Sequence, residues 1–92
     1  MSVTVRIPTI MRQLTGGQAE VAVEGDTLAA VVASLEGSYP GVKDRLLDEQ
    51  GKLRRFVNVY LNDEDIRFLK NLETPVKAGD EISIVPAIAG GK

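Results

Sequence analysis

The chain has 92 residues, 43% hydrophobic and 26% charged, with 11 basic against 13 acidic side chains and a net charge of −2. That balance describes one small globular domain with a thin core and leaves no room for a second. It contains no Cys, His or Trp, which excludes disulfides, thiolate or imidazole catalysis and Cys/His zinc sites. It also lacks the overall basic field by which nucleic-acid binders attract their target.

The longest apolar run, residues 28–33, falls far short of the roughly 20 residues that cross a bilayer. The opening Met-Ser-Val-Thr-Val-Arg lacks the basic-then-apolar plan of a secretory signal. A cytoplasmic protein with neither nucleic acid nor membrane as a partner is expected.

Residues 2–7 alternate, with Val3, Val5 and Ile7 on one face, and read as a half-buried strand that Pro8 ends. Residues 9–17 read as a long hairpin loop with Gly16-Gly17 at its tip, followed by a second alternating strand over 19–24. After Gly25, Asp26 or Thr27 caps a helix. Its Leu28, Val31, Val32 and Leu35 form one apolar stripe, and Gly37 and Pro40 stop it. Val42, Leu46 and Leu47 suggest a second, shorter helix running out near Gly51.

Residues 56–61 form the strongest strand, with Val57, Val59 and Leu61 on one side and Phe56, Asn58 and Tyr60 on the other. Asn62-Asp63 is turn chemistry, and residues 65–68 read as a short edge strand. A loop at Thr74-Pro75 and a tight turn at Ala78-Gly79-Asp80 lead to a last alternating strand over 81–85 with Ile82 and Ile84 inward. Two strands, a helix and then further strands predict an α+β domain. Its mixed sheet of four to five strands carries one main helix across one face. The domain should cover residues 1–86, leaving 87–92 as a flexible tail with Gly-Gly near its end.

Side-chain chemistry is sparse. Asp63, Glu64 and Asp65 are adjacent acids in a turn, where side chains diverge instead of converging on a substrate. Lys52, Arg54 and Arg55, with Lys43 and Arg45 upstream, make a local basic cluster. Interleaved with Asp44, Asp48 and Glu49, it reads either as a solvated mixed-sign surface or as a docking patch for an acidic partner. The tail is different. A core strand that runs directly into Ala87-Ile88-Ala89-Gly90-Gly91 offers a backbone without Cβ atoms at its end, able to thread a narrow tunnel in another protein.

These features together resemble a family. The hairpin–helix order, Phe56-Val57-Asn58-Val59-Tyr60-Leu61-Asn62, Pro75-Val76-Lys77-Ala78-Gly79-Asp80-Glu81-Ile82 and terminal Gly90-Gly91 are similar to the ubiquitin-like sulfur carriers, the MoaD/ThiS group. The Thr15-Gly16-Gly17 loop, the extra segment 40–53 and Asn62-Asp63-Glu64-Asp65 resemble the actinobacterial branch that serves cysteine biosynthesis.

The resemblance implies a β-grasp fold with the first and last strands parallel at the sheet centre. It also implies a substrate and shuttle, not an enzyme. An E1-like (MoeB/ThiF-type) enzyme would use ATP to adenylate the Gly91 carboxylate, and sulfur from a donor would replace AMP to leave a thiocarboxylate. The carrier itself would bind no cofactor or metal. Gly90, Ala89, Ile88 and Ala87 would thread the partner, and Phe56 and Tyr60 would dock it. The acceptor would be a PLP-dependent cysteine synthase using O-phosphoserine, or a thiosugar synthase, and a zinc metallopeptidase would release the cysteine adduct.

Lys92 departs from the pattern by tying up the Gly91 carboxyl group. It is either trimmed by a peptidase or foreign to the natural chain. Three rival uses of the same residues remain: a ubiquitin-like modifier joined to lysines, the small subunit of molybdopterin synthase, and an interaction module whose glycine pair is incidental.

Overall fold

The computed structural model describes residues 2–86. Strands β1 (Ser2–Arg6) and β2 (Glu20–Glu24) form an antiparallel hairpin in which Val3 faces Val23 and Val5 faces Val21. The chain between them was expected to be an open loop, but Thr9–Thr15 winds into 3-10 turns. Met11 and Thr15 are buried there, and the Thr15 hydroxyl bridges the Arg12 and Gln18 carbonyls. An apolar anchor and a satisfied hydroxyl hold what alternation alone does not reveal.

Helix α1 (Leu28–Ser38) starts where Thr27 Oγ1 accepts the Ala30 amide at 3.1 Å, which makes Thr27 the cap. It continues through Gly37, so Gly37 does not end it as expected; the stop comes at Tyr39, just before Pro40. Gly25 is needed for packing. A Cβ there would meet the Val31 amide nitrogen at 2.8 Å, so only glycine lets β2 hand over to α1 this closely. The short helix α2 (Val42–Leu46) buries Val42 and Leu46, and Leu47 beside it, in the core. Its start is satisfied from a distance: the Glu36 carboxylate accepts the Gly41 and Lys43 amides.

Strand β3 (Val57–Leu61) begins one residue later than expected, leaving Phe56 in the preceding turn. It pairs with β4 (Glu64–Asp65) through a two-residue turn, Asn62-Asp63, whose φ values of 50° and 76° give the hairpin its twist. The expected edge strand over 65–68 is only these two residues long. Asp65 accepts the Arg67 amide at 2.9 Å and Ile66 turns fully into the core, so the chain leaves the ladder as a 3-10 turn over Ile66–Phe68.

Strand β5 (Glu81–Pro86) completes a five-stranded sheet in the order β2-β1-β5-β3-β4. β1 and β5 run parallel at its centre, and the other pairings are antiparallel. One face packs Val5, Val59, Ile82 and Ile84 against Leu28, Val31, Val32 and Leu35 of α1. This is the β-grasp arrangement: one mixed sheet gripping one main helix.

The turn into β5 is knotted to the β3–β4 hairpin. Asp80 is 7% exposed, and its carboxylate accepts Asn62 Nδ2 at 3.0 Å and the Lys77 amide at 2.9 Å. Asn62 Oδ1 in turn accepts the Glu81 amide at 3.0 Å. Burial pushes the Asp80 carboxyl up. The bonds from Asn62 and Lys77, helped by the Lys77 charge, outweigh it and hold Asp80 below 3.8.

Two outcomes follow. Ile84→Ala opens a cavity under α1 and should cost roughly 2–5 kcal/mol, read as a lowered thermal midpoint. Asp80 stabilises the fold above its unfolded pKa and loses that contribution as pH falls through its depressed folded value. The stability difference between the parent and Asp80→Asn should therefore be full at neutral pH and shrink as pH falls below the ordinary carboxylate range. Denaturant melts along a descending pH series measure it.

Candidate functional site

The geometry of the chain end follows from the register. Because β1 and β5 are parallel, both leave the sheet at the same end, with Arg6 level with Ser83. Pro86 lies opposite Val57, the first residue of β3. β5 therefore ends beside the turn that carries Phe56. Gly91, Gly90, Ala89, Ile88 and Ala87 themselves lie outside the described residues. From Ala87 to Gly91 the sequence supplies five residues, a maximum reach of about 17 Å.

Phe56 and Tyr60 are the docking candidates that the family resemblance implies. Phe56 is 47% exposed, with the Arg54 guanidinium 6.0 Å from its ring centroid, within reach of a cation–π contact. Tyr60 is half-buried on the sheet face away from α1, flanked by Ser83 of β5 and Asp65 of β4. Asn58 lies between them in sequence, opposite Val85, which is 44% exposed. The open face thus carries a half-apolar strip leading to the point where the tail departs. Arg6 adds exposed ion pairs to Glu81 at 3.1 Å and to Glu20 at 3.8 Å. Such pairs contribute little to stability and keep the face polar.

Sequence reasoning missed Phe68 and Arg67, because it placed both on a strand. Phe68 is 87% exposed. Arg67 is a strut: its guanidinium donates to the Val57 carbonyl at 2.6 Å, the Arg54 carbonyl at 3.1 Å and Asn58 Oδ1 at 2.7 Å. Those bonds fold the Ile66–Phe68 turn back alongside the start of β3. An arginine followed by an exposed aromatic carries no signature that a single sequence reveals.

The other candidates are structural. Asp63 and Glu64 project from the hairpin, and Asp65 is occupied with the Arg67 amide. Among the described residues no cluster of acidic side chains could hold a metal ion. Gly16 and Gly17 form an exposed turn with φ of 66° and 87°. An enclosed void of about 10 Å³ between α1 and the sheet is lined by apolar side chains and is too small for a substrate. Among the described residues no helix is long and apolar enough to cross a membrane.

One mixed sheet gripping one main helix, with the first and last strands parallel at its centre, is the fold of the ubiquitin-like carriers. The ThiS family matches residues 5–91, and the chain belongs to that family. Within it, the likeness runs along the whole chain to the CysO type. Sulfur carrier protein CysO of Mycobacterium tuberculosis is 55% identical over 93 residues, covering 99% of this chain and 100% of its own. The crystal structure of the same organism's CysO has a TM-score of 0.90 at 53% identity, covering 94% of this chain and 99% of that one. A chain in the crystal structure of the Amycolatopsis orientalis BexX/CysO complex has a TM-score of 0.91 at 50% identity, covering 97% and 99%.

Proposed function

We propose that this chain is a protein sulfur carrier whose reactive group is the Gly91 carboxyl. It serves other enzymes as a cosubstrate and performs no catalysis itself. The observation that supports this most directly is the placement of β5. It is held at the sheet centre on both sides up to Pro86, five residues before the reactive glycine.

The chemistry needs three steps. Hydrolysis of the Gly91–Lys92 peptide bond frees the carboxylate. Its oxygen attacks the α-phosphorus of ATP and pyrophosphate leaves, giving an acyl-adenylate on an E1-like enzyme. Sulfide sulfur then attacks the acyl carbon, AMP departs, and a thiocarboxylate remains. Adenylation turns a poor electrophile into a good one, so no side chain of the carrier has to act as acid, base or nucleophile. That agrees with a chain lacking Cys and His.

Identity to CysO supports a sulfur carrier; in our reading the acceptor is a cysteine precursor on a PLP-dependent synthase, with a zinc metallopeptidase releasing the product. A thiosugar synthase would draw on the same thiocarboxylate. The complex of CysO with BexX supports a carrier that works by docking on a separate protein. Phe56 and Tyr60, beside and along the face leading to the tail, are the docking residues in this reading.

Incubating the trimmed chain with its adenylating enzyme, ATP and sulfide should replace one oxygen by sulfur, seen by intact mass spectrometry. An unchanged mass beside a converted control carrier defeats the reading. Isopeptide-linked adducts in cells, resistant to thiols and hydroxylamine, would favour a modifier instead. Gly90→Val adds a β-branched side chain next to the reactive glycine. It should abolish ATP–pyrophosphate exchange while shifting stability by no more than about 0.5 kcal/mol.

A further inference from the structure

The basic cluster around Lys52 acquires a second wall in the folded chain. A cleft of about 450 Å³ opens between residues 51–53 and 67–73. Lys52 stands on one side, Lys70 on the other, and Leu53 and Leu72, both half-buried against the core, lie between them. Among the described residues neither lysine is in salt-bridge contact with a carboxylate, although the Lys52 charge acts on Asp48 from farther off, and Glu73 is the one acid lining the cleft.

Both walls are held in place. Asp48 Oδ1 accepts the Gln50 and Lys52 amides at 2.8 and 3.0 Å, and the Lys52 bond is the main reason its carboxyl sits below 3.8. Opposite, Thr74 Oγ1 accepts the Lys70 amide at 3.0 Å and donates to the Asn71 carbonyl at 2.7 Å. Arg67 closes one end through its bonds to the Arg54 and Val57 carbonyls. Val57 in turn pairs with Pro86, the last residue of β5, so Arg67 ties the cleft wall to the strand that ends there.

The chemistry of the lining selects the occupant. Arg67 is the one residue here with a bidentate fork, and its fork is spent on three protein acceptors. What remains is two separated ammonium groups over an apolar floor. That arrangement suits an extended peptide with spaced carboxylates better than a compact phosphate, which needs converging donors. We propose that the cleft docks an acidic segment of the enzyme that adenylates Gly91, aligning the tail with its active site. This rests on the carrier function proposed above, because the adenylating enzyme is the first that must grip the body while it takes the tail.

The test compares two charge reversals with equal change in net charge. Lys52→Glu/Lys70→Glu alters the cleft; Lys43→Glu/Arg45→Glu alters exposed basic residues outside it. Binding of each folded variant to the organism's MoeB/ThiF-type enzyme is measured by calorimetry at low and high salt. The cleft variant should bind about 10-fold more weakly than the parent at low ionic strength, with the gap closing near 0.5 M salt. The control pair should bind like the parent. Equal weakening by both pairs, no weakening by the cleft pair, or no binding of the parent overturns the proposal. ATP–pyrophosphate exchange on the same samples reads the carrier function separately: binding in the expected pattern without exchange would defeat that function and leave the docking site standing.

Discussion

The parallel pairing of β1 with β5 is the constraint on which the rest of the molecule depends. Parallel strands cannot be joined by a tight turn, so the chain between them must leave the sheet and cross it. α1 lies in that connection, and its apolar stripe covers the pair. Val3, Val5, Ile82 and Ile84 are each no more than 5% exposed as a result. The bond from the Thr4 amide to the Asp80 carbonyl, at 3.0 Å, sets where the pairing starts. A one-residue slip would turn both isoleucines to solvent.

The same pairing makes a chain end into a tool. Were the last strand at an edge, the residues after it would leave from the least restrained part of the sheet. Here β5 is hydrogen-bonded to β1 and β3, and its entry is tied by Asp80 and Asn62 to a hairpin formed 18 residues earlier in the chain. The last strand is thus bound on both edges and at its entry.

Folding also sorts charges that the sequence mixes. Along the chain Asp44, Asp48 and Glu49 alternate with Lys43, Arg45 and Lys52, and the signs nearly cancel. In the fold Asp48 is consumed by amides of its own loop, and Arg54 donates from Nε to the Asp44 carbonyl. The Lys52 ammonium makes no close ion pair and lines the same cleft as Lys70. Net charge predicts none of this, because it is blind to which charges are already engaged.

By itself the sequence determined the pieces that depend on local burial. Alternation at Val3/Val5, Val21/Val23, Val57/Val59 and Ile82/Ile84 marked four strands, and the spacing of Leu28, Val31, Val32 and Leu35 marked the helix. The absent Cys and His, with the glycine pair near the end, pointed away from side-chain catalysis. The family resemblance supplied the strand pairing in advance; periodicity could not, since a valine matches one neighbouring strand as well as another. The tertiary structure alone decided the 3-10 turns at Thr9–Thr15, the exit of Ile66 from the sheet edge and the capping of α2 by Glu36. Each rests on a contact between residues too irregularly spaced to leave a period. The cleft lined by Lys52 and Lys70 belongs with them: Arg67 ties one loop to the other, and Thr74 holds the turn that carries Lys70.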